Sequence, residues 1–309
     1  MLITLNTIQS HLLVLLIGYV ISLCFGSSLR HSIGLPLRRW AHRRIRTLGE
    51  RLNKRSVATR VWRGLILLVL LMLPCIALDW LLGTASLFAG IIIALSADIQ
   101  PTLWHGWVAV SAGKARDENR LTRATSALAL EPQSAPDHHG ILRLIILSLI
   151  HHFTIVLVGG AFWFALLGLK GMLCYYALAI AAHYFRDSEQ DWKAFGWAAS
   201  RCFMLVDAIP SLLSIILLFL ASVFVPKAKP FAALFAYIRA TDEHNAHAIA
   251  AALTIGLGGP RMVNGKIHQT PWIGDGTVRL EATDLARFMT LFSIALFGFI
   301  VLVLFIINL

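Results

Sequence analysis

The chain has 309 residues, of which 58% are hydrophobic and only 14% charged, with a mean hydropathy of +0.73. A soluble domain carries about a quarter charged residues, so this composition excludes a soluble enzyme, a disordered chain and a disulfide-stapled secreted module. The net charge of +11 raises nucleic-acid binding, but the basic residues sit beside apolar blocks, where they orient spans and meet anionic headgroups. The sequence therefore predicts an all-α, polytopic integral membrane protein with membrane lipid as a partner and no nucleic-acid partner.

The N-terminal segment MLITLNTIQSH lacks a positive leader region, so the first apolar block, Leu12 to Phe25, reads as a retained span. A basic loop over residues 26–64 follows. Between Arg30 and Arg63 it holds eleven Lys and Arg residues against one acid, Glu50. By the positive-inside rule this loop is cytoplasmic and the N-terminus faces outward.

Leu65 to Leu82 reads as the second span, with Pro74 tolerated inside it, and Ala85 to Leu95 as the core of a third. Residues 98–140 form a polar loop whose middle, Lys114 to Leu130, reads as a surface helix, with His138-His139 capping the next span's entrance. Ile141 to Leu169 is too long for one simple span and contains Gly159-Gly160. With Met172 to Phe185 it makes two spans joined near Lys170. Phe203 to Val225, with Pro210, and Ala286 to Ile307 complete the apolar blocks. The total is about six to eight transmembrane helices. A second large polar region, 226–284, carries six Lys and Arg against five Asp and Glu, too even a balance to assign its side. The four cysteines are scattered with no Cys-x-x-Cys pair and read as reduced packing residues.

Within that region GLGGPRMVNGKIHQTPWIGDG, Gly256 to Gly276, cannot form a regular helix. Its glycines describe tight turns in which backbone N–H groups approach a ligand closely, or a purely structural turn between two helices. It is not a phosphate-binding Walker loop, because five residues separate Gly259 from Gly265 and Lys266 is followed by Ile267. Among the histidines, His151-His152 lies inside an apolar block, where ionisable side chains are functional by default. Adjacent helical residues point about 100° apart, so the two do not chelate one metal. His244 and His247 share a helix face as a possible metal pair beside Asp242 and Glu243. No metal is identified.

The glycine-rich stretch resembles the CobD/CbiB family of cobalamin-biosynthesis membrane proteins. The resemblance rests on Leu257-Gly258-Gly259-Pro260, on Gly265, and on Pro271-Trp272-Ile273-Gly274-Asp275, followed by a helix at Thr283 to Phe292. Chain length and the order of spans extend it over one membrane domain, residues 1–309. Several family acids have no counterpart. Gly26-Ser27-Ser28 and Leu35-Pro36-Leu37 stand where the family has Asp-Pro and His-Pro-Val, and Phe203-Met204 stands where it has an Asp pair. Arg201, Asp207 and Pro210 keep the pattern.

The resemblance implies a multi-pass protein of the bacterial inner membrane that joins an amino alcohol phosphate to a corrinoid carboxylate (adenosylcobyric acid), with ATP and Mg²⁺. Its implied catalytic residues are Asp275 and Asp207. Its implied substrate and phosphate contacts are Gly258, Gly259, Pro260, Gly265, Lys266, Pro271, Trp272, Gly274, Gly276 and Arg201. The alternative is a catalytically degenerate membrane paralogue with a binding or signalling role, in the manner of the related AmpE proteins, which Val206 to Leu218 resembles equally. AmpE proteins lack the Leu-Gly-Gly-Pro and Pro-Trp-Ile-Gly-Asp motifs. The oligomeric state is left open.

The basic loop yields a topology prediction. A reporter fused near Leu52 should register the cytoplasm and one at the N-terminus the opposite side; a periplasmic signal at Leu52 reverses the orientation.

Overall fold

A computed structural model of the chain describes residues 5–34, 43–45, 47–49, 51–53, 57–83, 87–128, 135, 137–186, 190–263 and 266–309. Helices dominate: α1 (Leu5–Leu29, running into a π-helical turn at Arg30–Gly34), α2 (Val57–Leu82), α3 (Leu87–Ala97), α4 (Ile99–Lys114), α5 (Glu118–Leu128) and α6 (His138–His151). A π-helical segment, His152–Gly159, carries α6 directly into α7 (Gly160–Leu167). Then follow α8 (Leu169–Arg186), α9 (Gln190–Ser222), α10 (Pro230–Arg239), α11 (His244–Leu253) and α12 (Ala282–Ile307). Four very short strands lie between α11 and α12.

Among the described residues, five helical stretches are long and apolar enough to cross a membrane: Leu5–Leu29, Thr59–Leu82, His138–Leu167, Ala194–Ser222 and Ala282–Ile307. The protein is an all-α polytopic membrane protein. The two apolar blocks outside these five are the short ones: α3 has 11 residues, and α8 is an 18-residue helix that includes Lys170 and Arg186. A span needs about 20 apolar residues. Outward-facing Trp62, Ile66, Val69, Leu73 and Trp80 on α2 are exposed, as expected of a lipid-facing helix.

The chain forms two compact units, one of residues 1–100, 155–210 and 305–309, the other of 101–154 and 211–304. In the first, α1 packs on α3 where Gly18 admits Ile93: a Cβ there would stand 2.7 Å from the Ile93 side chain. Small residues let membrane helices approach in this way. Ser22 Oγ accepts the Ile99 amide at 3.0 Å, and Arg30 pairs with Asp98 at 3.1 Å with both side chains largely buried. A second cluster joins Leu67 and Leu68 of α2 to Leu178, Ala182 and Phe185 of α8 and to Phe195 of α9.

Gly159-Gly160 does not break the long helix as a pair of glycines would in an isolated peptide. It seats two aromatic rings instead. A Cβ on Gly159 would fall 2.3 Å from the Tyr175 hydroxyl, and one on Gly160 would fall 2.0 Å from the Tyr176 hydroxyl. The π-helical segment beside them loosens the regular ladder, and its carbonyls accept two hydroxyls: Tyr176 donates to Val156 O at 2.7 Å and Tyr19 to Leu157 O at 2.9 Å. The real break is Gly168, with φ of 72°, next to Lys170.

In the second unit, α5 is the surface helix expected between Lys114 and Leu130. Its Leu121, Ala124 and Thr125 are buried, and α5 packs along α6. Asp117 starts it by accepting the Arg120 amide at 3.0 Å. The entrance of α6 is capped by Asp137, whose Oδ1 accepts the Gly140 amide, not by the histidine pair. His139 Nδ1 lies 2.7 Å from Leu280 O. Phe153 packs edge-on against Phe292 of α12.

The buried ion pair at Arg30 generates a stability prediction. Asp98→Asn keeps the shape but removes the counter-charge from a buried guanidinium, which costs about 3 kcal/mol. Thermal unfolding in detergent micelles should show a clearly lower midpoint; a wild-type melt would mean the pair contributes nothing.

Candidate functional site

The glycine-rich stretch lies in the second unit and folds back on itself. Helix α11 ends at Thr254, in the left-handed region with φ of 57°. The chain then forms β1 (Leu257–Gly258), β2 (Arg261–Val263), β3 (Lys266–His268) and β4 (Trp272–Ile273). β1 pairs antiparallel with β4 in the register Leu257 to Ile273 and Gly258 to Trp272, and β2 pairs with β3. Ile255 and Thr277 bridge the base of the stretch, where the Gly256 amide donates to Thr277 O at 2.7 Å.

Close packing explains the key glycines. Gly258 has φ of 73°, and a Cβ on it would fall 2.3 Å from Pro271 O; Gly259 has φ of 81°, and its Cβ would strike the Trp272 ring at 2.5 Å. Gly274 and Gly276 are pressed in the same way against Ala250 and the Thr254–Ile255 backbone. The amides of Gly256 and Gly259 are spent inside the motif, the latter on Pro271 O at 3.4 Å. Thr270 Oγ1 donates to Gly259 O at 2.6 Å. The expectation of free backbone N–H groups at these two glycines is thus corrected: the turns consume them.

What reaches the motif from elsewhere is Arg143, on the second turn of α6. It is 5% exposed. Its Nη1 donates to Val278 O, its Nη2 lies 3.5 Å from Asp137 Oδ1, and its guanidinium sits 5.1 Å from the Trp272 ring centre. Arg143, Leu144, Leu147, Gly259, Arg261 and Thr270 line a cleft of about 240 Å³, counting its open mouth. Nothing in the local pattern of the glycine stretch names Arg143. The signal was its position, an arginine inside the apolar block Ile141 to Leu169, where an ionisable residue has a purpose by default.

The remaining expected site residues fall into two groups. Pro260, Pro271, Trp272, Gly274, Asp275 and Gly276 lie with Gly258 and Gly259 in the second unit, Asp275 with its carboxylate exposed. Gly265 lies outside the described residues, as does the side chain of Lys266. Arg201 and Asp207 belong to the first unit. They stand six apart on α9, which turns them about 120° from each other. Arg201 is exposed, whereas Asp207 Oδ1 accepts the Tyr175 hydroxyl at 2.6 Å.

The histidines are also accounted for. His151 Nε2 lies 3.5 Å from Glu243 and His152 Nε2 lies 3.3 Å from Thr102 Oγ1, two different partners, as their angular offset required. His244 Nδ1 is turned to Tyr237 O at 2.9 Å. Among the described residues no three His, Cys, Asp or Glu side chains are placed to hold a metal, so the His244 and His247 pair gains no third ligand there. Mg²⁺ bound through one or two carboxylates and substrate phosphates remains compatible with this donor set.

The family described as CobD/Cbib protein matches residues 15–292. Cobalamin biosynthesis protein CobD of Rhodobacter capsulatus is 28% identical over 57% of this chain and 57% of its own length. The protein of that name from Rhizobium meliloti is 28% identical over 80% of this chain and 81% of its own. The one from Stutzerimonas stutzeri is 24% identical over 74% and 79%. The chain thus spans little more than half the length of the first of these relatives. No solved structure matches.

The packing of the motif separates structural from chemical substitutions. Gly258→Ala forces a left-handed alanine, costing about 1–2 kcal/mol before its clash, and should lower the melting midpoint of the purified protein. Asp275→Asn, on an exposed side chain, should melt within about 0.5 kcal/mol of wild type. Equal melts for both would show that the ribbon is not packed as described.

Proposed function

The chain belongs to the CobD/Cbib family of cobalamin-biosynthesis proteins, and on that premise we propose that it forms an amide between a corrinoid carboxylate, that of adenosylcobyric acid, and the amine of aminopropanol phosphate or a close amino alcohol phosphate. The product is adenosylcobinamide phosphate. The observation that carries this reading is the family match across residues 15–292, with the glycine motif inside it. The proposed location is the bacterial inner membrane.

Joining a carboxylate to an amine in water is uphill, so the carboxylate would first take the γ-phosphoryl group of ATP, releasing ADP. The amine would then displace inorganic phosphate from the acyl phosphate with loss of a proton. ATP serves as co-substrate and brings Mg²⁺ on its phosphates, because magnesium takes few protein carboxylates and keeps phosphate and water oxygens. On this reading Asp275, exposed on the rim of the motif, positions the metal-bound phosphates or the incoming amine. Lys266 offsets phosphate charge, whereas Arg201 belongs to the other unit and is given no part in this site. Asp207 is tied to Tyr175 within its own unit, so its role is to hold that helix pair in place. The second reading is a catalytically degenerate paralogue that binds without turnover. It draws on the scarcity of converging acids among the described residues.

Purified protein with ATP, Mg²⁺, adenosylcobyric acid and aminopropanol phosphate should yield adenosylcobinamide phosphate. Asp275→Asn should lower turnover by about a hundredfold or more, as loss of other charge-stabilising groups does, with its melting midpoint unchanged. Wild-type protein that binds corrinoid or nucleotide yet never turns over establishes the non-catalytic reading instead.

A further inference from the structure

We infer that the cleft between the start of α6 and the glycine ribbon is a phosphate-binding pocket, with Arg143 and Arg261 as its anion ligands and a free phosphate monoester as its occupant. The assignment rests on the proposed function only in choosing an amino alcohol phosphate as the physiological monoester. The pocket itself is argued from its residues.

Arg143 carries five N–H donors in a planar fork. One edge is committed: Nη1 to Val278 O and Nη2 toward Asp137. Its Nε, fully buried, has no hydrogen-bond partner among the described residues. Leaving a buried charged donor unsatisfied costs at least about 1–3 kcal/mol, so this atom calls for an acceptor. Arg143 lines the cleft, and Arg261, at the start of β2, lines it too.

Two guanidiniums on one small cleft make a positive site. Among the described residues the acid paired with Arg143 is Asp137, and its side chain is 47% exposed, so water screens much of its charge. Its Oδ1 also accepts the Gly140 amide at the start of α6. The geometry of the donors selects the anion. A planar carboxylate is best met by both N–H groups along one edge of an arginine, and the edge of Arg143 that carries both Nη groups is occupied. One N–H of Arg143 and a separate guanidinium from β2 suit a tetrahedral group that takes single bonds from several directions. A phosphoryl group has three such oxygens. Leu144 and Leu147 on α6 form an apolar wall beside them, which strengthens the charge–charge term by excluding water. Because the ribbon keeps the Gly256 and Gly259 amides for itself, the side chains do the binding, unlike a phosphate loop.

The test uses the full chain in dodecyl maltoside micelles, without ATP or corrinoid. Isothermal titration with O-phosphoethanolamine should saturate at one site per chain, and inorganic phosphate should compete while acetate does not. Arg261→Gln should weaken the affinity about tenfold or more, the loss of one charge-assisted bond, with an unchanged melt. Arg143→Lys, which keeps the charge but not the fork, should weaken it as well. Titration that never saturates, or equal affinity in wild type and Arg261→Gln, overturns the pocket. Saturable binding of phosphatidylglycerol, with no response to soluble phosphates, assigns the site to a lipid headgroup and overturns the monoester. The enzyme reading fails separately. If binding is intact and no product forms, that reading falls and this one stands. If product forms and Arg261→Gln leaves KM for the amino alcohol phosphate unchanged, this one falls.

Discussion

A buried guanidinium is costly for each donor left unpaired, and the partners of Arg143 organise the glycine-rich segment. It reaches from the second turn of α6 to the carbonyl of Val278, lies against Trp272, and leans on the residue that caps its own helix. Trp272, in turn, lies over Gly259, where no side chain fits. Thus one arginine, one indole and one glycine stack through a single point. The order of the ribbon depends on all three, since an arginine at this burial without its carbonyl partner would carry a penalty of several kcal/mol.

The first unit obeys the same rule with neutral groups. In an apolar surrounding every donor needs an internal acceptor, and regular helices leave few carbonyls to spare. The π-helical segment at His152–Gly159 supplies them: its carbonyls at 156 and 157 receive the hydroxyls of Tyr176 and Tyr19. Tyr175 finds Asp207 instead. The irregular segment, the two glycines and the two adjacent tyrosines are one packing solution. Asp207, one of the two acids that the family resemblance offered for catalysis, is a member of it.

The family relationship and the chemistry bear differently on function. Membership of the CobD/Cbib family covers residues 15–292, while the acids that the proposed ATP-dependent ligation would use do not converge among the described residues. On the proposed reading, charge would come from arginine and from phosphates that carry their own metal. The basic residues near the motif would then bear more on binding than its acids.

Local pattern was enough to read the membrane class, the long spans, the α5 surface helix and the non-helical glycine segment, because composition and periodicity act over one or two turns. The junction near Lys170, which falls at Gly168, and Pro74 tolerated inside a span were equally local matters. Partnership was not. That Gly159-Gly160 seats Tyr175 and Tyr176, that Asp137 and not the histidines caps α6, and that the turns of the motif absorb the amides of Gly256 and Gly259 were decided only when distant segments packed. Arg143 shows the difference most clearly. The sequence alone determined that a charge inside an apolar block must have a partner. Only the tertiary structure decided which, because the carbonyl and the indole that meet it come from segments more than a hundred residues further along the chain, brought to it by helix packing that no local pattern encodes.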